Sequence, residues 1–151
     1  MKNKLLAIAA AVILLAGVAS PAQAAEPELH PDVEYAIDAV PGGIVVDETT
    51  VVWPALGMVL TAASDMSRSV GTCATGNYCA YAGPGRTGTK ISFGICTVVS
   101  TSALASVGSI ANARSSGSVQ ARSAAGTILG TAAAGTGVDV GAGTSTLRCN
   151  L

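Results

Sequence analysis

The chain has 151 residues, room for one compact domain and not comfortably for two. Half of them are hydrophobic, much of that half alanine, while aromatics are 3% and charged residues 11%, which excludes an acidic disordered tail. A formal net charge of −1 gives nucleic acid no electrostatic hold, and the composition also excludes a multidomain enzyme and a coiled coil.

Lys2 and Lys4 precede a continuous apolar run over residues 5–18, and Pro21 precedes the small-x-small site Ala22-Gln23-Ala24. This predicts a secretory signal peptide over residues 1–24, cleaved after Ala24, and hence a secreted, extracellular chain with no membrane attachment. The apolar run is shorter than the roughly 18–20 residues that cross a bilayer. A lipid-anchored variant would carry a cysteine after Gly17, where Val18 stands. Removing two lysines leaves six basic against nine acidic groups. Eight carboxylates (Glu26, Glu28, Asp32, Glu34, Asp38, Asp47, Glu48 and Asp65) precede the first arginine of the mature chain. Arg68, Arg86, Lys90, Arg114, Arg122 and Arg148 follow, against Asp139 alone. The asymmetry separates an acidic segment, 25–69, from a basic body, 70–151; docking of one on the other and a solvated acidic face fit it equally.

His30-Pro31-Asp32 opens a segment in which Val33, Ala36, Ile37 and Val40 recur at helical spacing, predicting a short helix. Alternation at Val33, Tyr35 and Ile37 fits a strand as well. After Pro41-Gly42-Gly43, residues 44–46, 51–53 and 58–60 read as strands, and 62–69 as a linker. Residues 78–81 and 90–93 flank a glycine-rich turn over 83–88, and further strands are expected at 118–122, 127–129, 138–140 and 146–148. Many short strands at regular intervals predict an all-β sandwich or barrel. The Ala-, Ser-, Thr- and Gly-rich stretch over 97–146 also carries the mark of low complexity, which can signal poor order.

Cys73, Cys79, Cys96 and Cys149 allow three pairings in an exported chain. A zinc site is the competing use, but the spacings match no common ligand pattern and His30, the single histidine, is remote. The Gly76-Asn77 turn favours a short Cys73–Cys79 bridge, leaving Cys96 to tie Cys149 into the body. That second bridge would stabilise by roughly 4 kcal/mol in the chain-entropy model.

Catalytic signatures are wanting: there is no nucleophile elbow, no zinc-protease motif, no phosphate loop and no dinucleotide fingerprint. Glu34 and Asp38, four apart, form a carboxylate pair of a kind that is far more often a solvated helix face than an acid–base couple. Trp53, Tyr78, Tyr81 and Phe93 are expected in the core of an alanine-rich chain rather than on a ligand platform. The expectation is no enzyme, no metal and no cofactor.

The run Cys73-Ala-Thr-Gly-Asn-Tyr-Cys79-Ala-Tyr81-Ala-Gly-Pro-Gly-Arg-Thr-Gly88 resembles the opening motif of the secreted metalloproteinase inhibitors of streptomycetes, an actinobacterial family. Ser109-Ile110-Ala111-Asn112-Ala113-Arg114-Ser115-Ser116 is similar to its second block, and the two cover roughly residues 70–122. The resemblance implies a βγ-crystallin-like Greek-key sandwich over 70–151, preceded by a short helix and a small β-hairpin region. It also implies a monomer that blocks a secreted protease with a rigid loop. Tyr81, Gly88, Asn112, Ser115 and Ser116 match the family motif; Arg86 stands in place of a second aromatic. Ala111 replaces the first oxygen ligand of the calcium arc known in some crystallins, so weak or no calcium binding is expected. Residues 124–137 lack the family's second cysteine pair, so no reactive site is assigned. A structural or cell-surface protein on the same scaffold is the alternative reading. A membrane-active toxin is disfavoured, because a mature charge of −3 offers anionic lipid no attraction.

Overall fold

The computed structural model describes residues 28–64 and 72–151. The expected signal peptide and most of the expected linker lie outside them. The first element among the described residues is a helix, α1 (Pro31–Ala39), capped by His30, whose Nδ1 accepts the Asp32 N–H at 3.1 Å. Proline in the first turn and the early carboxylates Asp32 and Glu34 suit the helix start and its dipole. Val33 and Ala36 are buried while Tyr35 is exposed, so the helical period decides the ambiguity of this segment.

Among the described residues eleven strands follow, in two antiparallel sheets. The first three are β1 (Ile44–Asp47), β2 (Thr50–Trp53) and β3 (Met58–Thr61). Then come β4 (Tyr78–Gly83), β5 (Thr87–Phe93), β6 (Val98–Ser100) and β7 (Ser109–Asn112). The last four are β8 (Ser118–Ser123), β9 (Ile128–Ala133), β10 (Thr136–Asp139) and β11 (Thr144–Asn150). One sheet has the order β1-β2-β3-β5-β4-β7-β10, the other β6-β11-β8-β9. The chain is thus mostly β with one short helix, as the strand spacing led us to expect.

The two sheets share one core. Tyr78, Ala80, Ile91, Phe93 and Ile110 from the first meet Val119, Ala121, Ala132 and Leu147 from the second. The pairing pattern repeats. β4 pairs with β5 and β7, and β8 pairs with β9 and β11. In each run the third strand leaves for the opposite sheet: β6 joins β11, and β10 joins β7.

The acidic segment is built into the first sheet. β3 pairs with β5 in register Met58↔Phe93 to Thr61↔Lys90, so residues 44–61 and 78–93 share one hydrogen-bonded ladder. Val33, Ala36, Val51, Trp53, Met58 and Leu60 belong to the common core. The carboxylates of Glu34, Asp38, Asp47 and Glu48 face solvent, while Asp32 accepts a hydrogen bond from Thr89 Oγ1. The segment therefore docks through apolar burial and strand pairing.

Two strands lie where none is expected from the sequence. β7 reads Ser-Ile-Ala-Asn, with all four residues buried, and shows no alternation because both its faces are covered. β6 has only three residues and sits at a sheet edge. The low-complexity stretch is ordered into six of the eleven strands, its small side chains packing in the core at Ala103, Ala111, Ala121 and Ala132.

Candidate functional site

Cys73 is bonded to Cys79, with Cα atoms 5.8 Å apart, and Cys96 to Cys149, at 5.1 Å. The first bridge closes the Gly76-Asn77 turn, which is held further by Gly76 N–H to Ala113 O and Ala113 N–H to Asn77 O, both 2.9 Å. The second fixes the segment preceding β6 to the C-terminal strand.

The residues singled out by the resemblance lie in packed positions and turns. Tyr81 is fully buried on the outer face of the first sheet, against Cys79, Ala111 and Cys73. Burial pushes its phenol pKa up, opposed by the positive charge of Arg86 and the Cys73 backbone. Gly88 has φ +73°, and a Cβ there would lie 3.3 Å from the Ala82 methyl, so the turn closes only around a residue without one. Asn112 is buried, its Nδ2 donating to Gly117 O at 3.4 Å and its Oδ1 accepting the Arg114 N–H at 3.2 Å. It holds the 113–117 turn, on which Ser115 and Ser116 stand exposed. Among the described residues no group of three His, Cys, Asp or Glu side chains is placed to hold a metal.

Arg86 takes φ +63°, an uncommon conformation for a side chain of its size. Its N–H donates to Ser109 Oγ at 2.9 Å and the Gly85 N–H donates to Asp139 at 2.6 Å, which together pin the turn. His30 caps α1, and Glu34 and Asp38 are exposed on it. Trp53, Tyr78, Tyr81 and Phe93 are all buried, in line with the core role expected of them.

What the sequence left unmarked is a cleft of about 450 Å³ between the acidic segment and the second sheet. Ala39 at the end of the helix, with Val40 and Pro41 just after it, forms one wall together with Ala55 and Leu56. Met58 and Phe93 lie buried at the bottom, Ile95 sits against Gly57, next to Leu56, and residues 97–100 with Ser102 line the other side. Tyr78 supports that side: its ring stacks on Phe93, centroids 5.2 Å apart, and its hydroxyl donates to Ile95 O at 3.0 Å and Thr97 O at 3.3 Å. Trp53 supports the other, its indole N–H donating to Val40 O at 2.9 Å. No lining residue is ionisable. Leu56, Ile95 and Val98 remain 47%, 55% and 58% exposed on the rim. These three large apolar side chains stand in solvent beside an uncharged hollow. The signal that could have found it is local: Leu56 lies in a Pro-Ala-Leu-Gly turn, and Ile95 and Val98 flank Cys96, places where a solvent-facing loop has no folding need for bulk.

Among the described residues no helix is long and apolar enough to cross a membrane. Compared with models of protein families, with curated proteins and with solved structures, the chain finds no match.

Proposed function

We propose that this is an exported, non-enzymatic binding protein of the streptomycete metalloproteinase inhibitor type, acting on a secreted protease by steric occupation of its active site. The cysteine, tyrosine and glycine spacing of residues 73–88 supports the family. So does the strand order. Two successive four-stranded runs, each lending its third strand to the other sheet, agree with a pair of βγ-crystallin-like Greek-key units over 78–150. Two disulfides suit an extracellular chain.

The observation that carries binding is the uncharged apolar cleft with Leu56, Ile95 and Val98 exposed on its rim. A rigid rim limits the ordering cost of association, and this one is braced by the Cys96–Cys149 bridge and the Tyr78 hydrogen bonds. A structural or cell-surface role is the second reading, favoured by the absence of cysteines over residues 124–137.

Incubating the oxidised mature protein with a thermolysin-type metalloprotease and with a subtilisin-type serine protease separates the two. Stoichiometric loss of either activity is the expected result. An inert or degraded protein would leave the structural reading in possession.

A further inference from the structure

Four strands form the edges of the two sheets, β1 and β10 in one and β6 and β9 in the other. β6 is the one whose whole length lines the cleft. Antiparallel pairing turns the backbone groups of alternate residues toward the same neighbour. The parity here is fixed at both ends, by Cys149 N–H to Thr97 O and by Thr101 N–H to Ser145 O, each 3.0 Å, with Val99 opposite Leu147 between them. Thr97, Val99 and Thr101 therefore face β11. Val98 and Ser100 turn their N–H and C=O groups the other way, to the open side of the strand. Among the described residues nothing pairs with these groups, so the cleft holds two things a strand-adding peptide requires: a row of main-chain donors and acceptors, and apolar hollows beside it.

We infer that β6 is a docking edge for an extended, uncharged segment of the partner, which pairs with Val98 and Ser100 as an added strand. Its alternate apolar side chains enter the cleft among Leu56, Met58, Phe93 and Ile95. The occupant follows from the lining. A folded helix has no free main-chain groups to offer Val98 and Ser100. A charged segment would lose its hydration among residues that return no ion pair. The cleft volume, about 450 Å³, falls in the roughly 300–1,000 Å³ range of sites that accept apolar groups. The inference rests on the reading of the chain as a binding protein and adds the mode of binding.

Ser100→Pro gives the sharpest test. It removes an N–H that points away from β11, so the ladder to that strand is kept while the docking edge loses a donor. The probe is a capped hexapeptide of alternating valine and threonine, titrated into the oxidised protein with backbone amides followed by NMR. The Val98 and Ser100 amides are expected to shift and gain protection from exchange. Ser100→Pro, or N-methylation of the peptide at its bonding positions, is expected to weaken binding about tenfold, as for one or two lost hydrogen bonds. Leu56→Asp, which leaves the backbone edge untouched, is expected to weaken it as well. Binding that tolerates N-methylation, shifts confined to another edge such as β9, or no shift at millimolar peptide would each overturn the inference. The protease assay is run alongside. If Ser100→Pro inhibits as well as the parent, the edge is refuted and the inhibitor reading stands. If the parent inhibits nothing, the inhibitor reading fails while the peptide titration still decides the edge.

Discussion

Tyr78 joins the core to the cleft through a single side chain, stacking on Phe93 below and holding the Ile95 and Thr97 carbonyls above. Tyr78→Phe keeps the ring and removes the hydroxyl, so a loss of about 1–2 kcal/mol is expected, chiefly from the Ile95 carbonyl, since Thr97 O keeps the Cys149 N–H. The same variant reports on alkaline stability. Burial raises the Tyr78 pKa above its ordinary value of 10.0, although the Thr97 backbone and Arg114 oppose the shift. A folded value above the unfolded one means a contribution fully present below about pH 10 and lost as pH rises through the folded value. Tyr81 acts in the same direction, and Lys90, whose pKa burial lowers, acts in the opposite one. Urea unfolding of parent and variant across pH 8 to 11 is expected to show a shallower alkaline decline in Tyr78→Phe; parallel curves would assign the decline elsewhere. Asn112 offers a second residue-scale test. Its side chain ties three stretches of backbone, at Arg114, Gly117 and Ala132, so Asn112→Ala is expected to cost about 1–3 kcal/mol. Calcium is expected to leave the Tm of both proteins unchanged, and a rise of several degrees in the parent alone would make Asn112 a ligand rather than a brace.

At the scale of elements, the two disulfides differ in what they restrain. Cys73–Cys79 spans six residues of sequence and Cys96–Cys149 spans fifty-three. Loop-closure entropy assigns them about 2 and about 4 kcal/mol respectively. Replacing Cys96 and Cys149 by serine should therefore lower the denaturation midpoint more than replacing Cys73 and Cys79, and should also loosen β6, which the longer bridge anchors. Equal losses would mean that strain or residual unfolded structure outweighs the loop term. The cysteine spacing made this pairing legible because Gly76-Asn77 can turn within the short loop. Strand positions were legible where one face is wet: β8 alternates buried and partly exposed residues over Ser118–Arg122, and its sequence alternates with them. β7 was hidden for the opposite reason, since Ile110 enters the core while Ala111 packs under Tyr81 on the far face. The cleft was hidden because its lining comes from four separated stretches of chain, and only the pairing of β3 with β5 and of β6 with β11 brings them together.

For the molecule as a whole, the decisive question is what the acidic segment contributes. Composition sets it apart from residue 70 onward, and it lies outside the stretch that carries the family resemblance, as a removable cover would. Its burial argues otherwise. Val33, Ala36, Val51, Trp53, Met58, Leu60 and Ala62 are all buried, and β3 supplies the hydrogen-bonding neighbour of β5. At roughly 1.5–3 kcal/mol for each large apolar side chain buried, this contribution is on the order of 10 kcal/mol. The entropy of ordering the segment offsets much of this, but net domain stability is only about 5–15 kcal/mol, so even the remainder weighs heavily. Residues 72–151 expressed alone would also bare the β5 edge and the Phe93 ring, a surface that invites association. The isolated fragment is therefore expected to lack a cooperative thermal transition and to elute as aggregate on size exclusion. Adding a synthetic peptide of residues 28–64 during refolding should restore a soluble one-to-one complex. A monomeric fragment with native-like melting would refute this, and would make the acidic segment a detachable cover over one wall of the cleft.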